Sequence, residues 1–82
     1  MPSKLIYKTV FDEEGDKYEI RVTDEFGNPQ TEYKFESQDS IEAVKGMMEV
    51  LKEKIRDETL QNPFLEIIYV SPEQFEVINH RD

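Results

Sequence analysis

The chain has 82 residues, nineteen acids against ten bases, a formal net charge of −9 and no cysteine. That length suits one domain, 1–82, because two halves would each be too small to bury a core. So acidic a surface repels nucleic acid and anionic lipid, and the missing thiols exclude disulfides and cysteine-based zinc sites.

Hydrophobic residues make up 37% of the chain and charged residues 35%, a balance that borders on disorder. Four tyrosines, five phenylalanines and several β-branched runs argue for a folded, highly soluble domain instead, because their spacing gives coherent apolar faces. The bases are dispersed: Lys52, Lys54 and Arg56 interleave with Glu53, Asp57 and Glu58. Direct nucleic-acid binding is not expected. The start lacks the apolar core of a signal peptide and no stretch is long enough to span a membrane, so a cytoplasmic protein without membrane contact is expected.

Lys4–Phe11 reads as a strand with Leu5, Tyr7, Thr9 and Phe11 on one face and Ile6 and Val10 on the other. Asp12–Asp16 is an acidic turn in which Gly15 can supply a positive φ. Lys17–Thr23 alternates, with Tyr18, Ile20 and Val22 inward, so a first hairpin is predicted. A longer loop runs from Asp24 to Gln30, where Pro29 lacks an amide donor and interrupts pairing. Thr31–Glu36 resumes the alternation through Tyr33 and Phe35, which predicts a third strand and an antiparallel meander.

The run Asp39–Glu58 predicts one long helix. Asp39 is the expected cap, with Glu42 reaching back. Ile41, Val44, Met48, Leu51 and Ile55 form its apolar stripe, widened by Met47, and Lys52 falls among the charges of the opposite side. Gly46 is read as a point of close approach to the sheet, with a plain surface glycine as the alternative. After Asn62-Pro63, the apolar run Phe64–Val70 predicts a fourth strand, largely covered. Ser71-Pro72-Glu73-Gln74 resembles a helix start, and a short C-terminal helix is expected. The same tail also fits a turn into a strand through the alternation of Phe75, Val77 and Asn79.

Few residues carry recognisable chemistry. Asp12, Glu14 and Asp16 alternate, but Gly15 precedes the third acid and Thr23 stands where a calcium loop needs glutamate, so a solvated turn is the reading. His80 is the only histidine and sits in a charged tail. Acid pairs such as Glu13/Glu14 are composition in so acidic a chain, and the isolated glycines form no phosphate cradle. No catalytic residue, metal site or cofactor is expected, and the chain reads as a non-enzyme. Phe26, between Glu25 and Gly27 at a polar loop tip, is either a binding anchor or a lid folded back over the core.

The fold expected is α+β: a two-layer sandwich of an antiparallel β-meander, one long helix and a fourth strand, in the order β-β-β-α-β. Three strands followed by a helix resemble, in architecture alone, part of double-stranded RNA-binding domains, whose basic residues are missing here. The function expected is a small acidic protein-interaction module (adaptor, inhibitor or assembly subunit) with a basic protein partner. Its contact residues would be Phe26, Glu25, Glu13, Glu14 and Asp16, together with an uncovered sheet edge, and homodimerisation is compatible with it. The alternative is a nucleic-acid mimic, of viral or mobile-element type, that occupies the basic groove of a DNA- or RNA-binding protein.

Overall fold

The computed structural model describes residues 2–33 and 40–81. Within them lie strands β1 (Ser3–Asp12) and β2 (Lys17–Asp24), helix α1 (Ile41–Gln61), and strands β3 (Leu65–Ser71) and β4 (Gln74–Asn79). The four strands form one antiparallel sheet in the order β2-β1-β4-β3, with α1 packed across one face. The fold is α+β, with the element order β-β-α-β-β.

The first hairpin forms where the alternation places it, from Leu5 opposite Asp24 to Asp12 opposite Lys17. Its turn is held differently. The left-handed residue is Asp16 (φ 50°), a residue type that tolerates this region, and not Gly15. Asp12 Oδ1 accepts the Glu14 amide at 3.1 Å and closes the turn.

Two expected elements are replaced. Thr31–Tyr33 is a turn, with the Tyr33 amide donating to the Gln30 carbonyl at 3.1 Å; residues 34–36 of the expected third strand lie outside the described residues. Pairing with β2 shrinks to one bridge between Thr23 and Pro29, made by the flanking Gln30 amide on the Val22 carbonyl and the Asp24 amide on the Asn28 carbonyl. The C-terminal segment is strand β4, not a helix. Ser71 Oγ accepts the Glu73 amide at 3.1 Å, so the helix-start signature is spent on a tight turn. Phe75 is fully buried and stacks on Tyr7 with ring centroids 4.6 Å apart, and that burial overrides the local signal. Inserting β4 between β1 and β3 also removes the resemblance to the RNA-binding architecture.

The cap of α1 is Ser40, whose Oγ accepts the Ala43 amide at 3.2 Å; Asp39 lies outside the described residues. Val44, Met48 and Ile55 face the sheet and meet Tyr7, Ile20, Val22 and Phe75 to form the core, with Met47 and Leu51 at its margin. Gly46 is a surface glycine: a Cβ there would meet nothing within 4 Å, so no close approach explains it. Lys52 is buried rather than on the solvent side. Its stem lies along the core while Nζ reaches the Pro72 carbonyl and Glu49 Oε1, each at 3.3 Å.

Strand β3 is also corrected. It is an edge strand, not a covered one, and Ile68, Tyr69 and Val70 are exposed, as is Phe64 before it.

Candidate functional site

Two kinds of surface stand out: a rigid turn at one end of β2, and the outer edges of the sheet. The turn follows directly from Asp24. Its Oδ1 accepts the amides of Phe26 (2.9 Å) and Asn28 (2.8 Å), and its Oδ2 accepts Asn28 Nδ2 at 3.0 Å. The Asp24 amide donates back to the Asn28 carbonyl at 3.0 Å, and Gly27 takes the positive φ of 86° that the chain reversal requires. The Asn28 backbone bond leads the causes that hold the Asp24 carboxyl below its ordinary value of 3.8; its own desolvation opposes them, and the bonds from the Asn28 side chain, Phe26 and Gly27 add to them. The product is an ordered loop whose tip, Phe26, is 80% exposed. Phe26 does not fold back over the core.

The acidic turn lies elsewhere. Glu13, Glu14 and Asp16 are exposed in the loop entering β2, whereas Glu25 and Phe26 are exposed in the loop leaving it. β2 places seven residue steps between its ends, roughly 23 Å at about 3.3 Å per step. The five candidate contact residues are therefore two patches, not one. His80 is exposed, with Nε2 2.8 Å from Glu66 Oε1. Among the described residues no three His, Asp or Glu side chains gather in a metal-binding arrangement, and no helix is long and apolar enough to cross a membrane.

The concavities are shallow. One of about 250 Å³ opens between α1 and the sheet beside Tyr7, Tyr33, Leu65 and Val77, smaller than the roughly 300–1,000 Å³ typical of small-molecule sites. Burial, then the neighbouring Tyr33 and Glu58, push the Tyr7 phenol up to about 12, so it stays protonated at neutral pH. A second trough, about 360 Å³, runs along the β3 side of the molecule between Tyr69 and the helix residues Glu49, Lys52, Glu53 and Arg56.

The edges carry the strongest signal that sequence reasoning missed. Phe64 is 44% exposed and Tyr69 and Val70 are each 53% exposed, spread along the rim of the sheet from one end of β3 to the other. A short apolar run reads as buried when strand order is unknown. The one hint against full burial was Glu66, a carboxylate in the middle of that run. Comparison with protein-family models, with curated protein sequences and with solved structures finds no match, so fold and surface geometry carry the functional reading.

Proposed function

We propose that this chain is a small acidic, non-enzymatic interaction module that docks a basic protein partner through the Phe26 turn. The observation that carries the reading is the presentation of Phe26. An aromatic side chain 80% exposed on a loop already fixed by the Asp24 carboxylate loses little freedom on binding, which is the property of an interface anchor. Glu25 beside it, and the overall charge of −9, favour a pocket rimmed by lysine or arginine. The acidic turn at Glu13, Glu14 and Asp16 serves as a separate electrostatic patch that steers approach rather than anchoring it. A cytoplasmic setting fits a chain without cysteine.

The nucleic-acid-mimic reading has less support. It needs a continuous anionic track, and Lys45, Lys54 and Arg56 interrupt the acids of the exposed helix face while Lys4 and Arg21 pair with Glu76 and Glu19 on the sheet.

The test is affinity capture from native lysate with wild type and two variants, eluted by a salt gradient and identified by mass spectrometry. Phe26→Ala should lose the specific partner at all salt concentrations. Charge reversal at Glu13 and Glu14 should retain it while lowering the salt at which it elutes. A partner captured equally by Phe26→Ala contradicts the reading.

A further inference from the structure

We propose that the free edge of β3 is the contact surface for a second copy of this chain, joined by a two-fold axis so that the two four-stranded sheets run on as one. This goes beyond the role proposed for the Phe26 turn and does not depend on it.

The backbone sets the register. The Phe64 carbonyl accepts the His80 amide at 2.8 Å, so Phe64, Glu66 and Ile68 direct their polar backbone groups toward β4. Leu65, Ile67 and Tyr69 then direct theirs outward, and the Leu65 amide is already given to the Asn62 carbonyl at 3.2 Å. Ile67 and Tyr69 are left with both backbone groups facing the edge, and nothing among the described residues pairs with them there. An antiparallel two-fold pairing centred on Ile68 matches Ile67 of each copy to Tyr69 of the other and uses all of these groups.

The side chains fit that register. On the outer face Ile68 meets Ile68 of the second copy and Val70 meets Glu66, so no like charges oppose each other. On the helix face Ile67 packs beside Tyr69 of the second copy. This covers part of the apolar rim, whose exposure is otherwise an aggregation hazard.

Charge complementarity comes from the helix. A two-fold axis perpendicular to the sheet leaves both helices on the same face and runs them antiparallel. Glu49, Lys52, Glu53 and Arg56 form one stripe along the flank of α1 beside Tyr69. Read in reverse against itself, that stripe opposes the exposed Glu49 and Arg56 of each copy to Arg56 and Glu49 of the other, two pairs of unlike sign, while Lys52 stays turned inward to the Pro72 carbonyl. The stripe is locally neutral, although each protomer carries −9 overall; salt screens the remaining repulsion within about 8 Å at physiological ionic strength.

The test is sedimentation velocity of the full chain over a wide concentration range, with circular dichroism to verify folding. Wild type should pass from the protomer mass to twice that mass. Ile68→Lys, on the solvent face, opposes two lysines at the axis and should abolish the transition. Tyr69→Pro removes an amide that points away from β4 together with the ring that packs beside Ile67 of the second copy, and should abolish it too. Glu49→Arg should raise the concentration of half-association by about tenfold through two lost ion pairs, and adding Arg56→Glu should restore it. A wild type that stays at the protomer mass throughout overturns the proposal. So does a folded Ile68→Lys or Tyr69→Pro variant that doubles at the wild-type concentration.

Discussion

β2 and β3 occupy equivalent positions at opposite edges of one sheet, yet they meet solvent in different ways. β2 carries Lys17, Glu19 and Arg21 on its outer face, with Glu19 and Arg21 paired at 2.6 Å. Part of its edge is already used, because the Val22 carbonyl accepts the Gln30 amide at 2.9 Å and the Asp24 amide donates to Asn28. Tyr18 and Ile20 keep both of their backbone groups facing the edge. A two-fold pairing through those groups would set Glu19 against its own copy and Lys17 against Arg21. That edge is protected by charge. β3 has one carboxylate, Glu66, and three exposed apolar side chains, and its permitted register opposes no like charges. A fold of this size can thus keep one edge closed to self-pairing and leave the other open to it.

Substitutions can break this comparison or sharpen it. The largest effect is expected at the centre that both edges share. Phe75→Ala removes a fully buried ring stacked on Tyr7 and should cost about 3–5 kcal/mol in urea denaturation. It should also free β3, which is held to the sheet only through β4. Thr9→Val tests the same centre with the opposite sign. Thr9 Oγ1 is buried without a hydrogen-bond partner among the described residues, so the near-isosteric change should stabilise the fold by about 1 kcal/mol. A destabilised Thr9→Val protein would mean that the hydroxyl is satisfied.

Replacing Lys17, Glu19 and Arg21 together by threonine should make β2 resemble β3. With both edges open, sedimentation should then show species beyond the dimer, because relief of each like-charge pair contributes about 0.2–1 kcal/mol. Unchanged assembly would show that Gln30, not charge, closes the β2 edge.

The smallest effect separates the two sides by pH. The Asp24 carboxyl is held below 3.8, so the order it gives the Phe26 turn is fully present above that value and is lost as pH falls through its lowered folded value. Backbone NMR shifts of Phe26 and Asn28 should move in that window before those of Ile67 and Tyr69. At the alkaline end, the Tyr7 phenol is raised from 10.0 to about 12, so stability drawn from its neutral form is present below 10 and lost as pH rises toward 12.

The parts of the molecule legible in the sequence are those set by local periodicity. The hairpin follows from the alternation of Tyr18, Ile20 and Val22, and α1 from the three- and four-residue steps of Val44, Met48, Leu51 and Ile55. Phe26 was legible as an anchor or a lid because an aromatic at a polar tip has only those two fates. The tail was misread because Ser71-Pro72 supports a turn as readily as a helix start, and only burial of Phe75 between strands decides between them. The open β3 edge was hidden for the same reason. Whether Ile68 and Tyr69 are covered depends on which strand lies beside β1, and no local pattern encodes strand order. Lys52 was placed among the solvent-facing charges because periodicity assigns a side to a Cβ, not to the end of a long side chain.

The most direct measurement of the difference between the edges is amide hydrogen exchange, residue by residue, at low and high protein concentration. The account predicts that the Ile67 and Tyr69 amides gain protection as concentration rises, while Tyr18 and Ile20 exchange at an unchanged rate. Concentration-independent exchange at Ile67 and Tyr69, or protection that grows at Tyr18 and Ile20 instead, would contradict it.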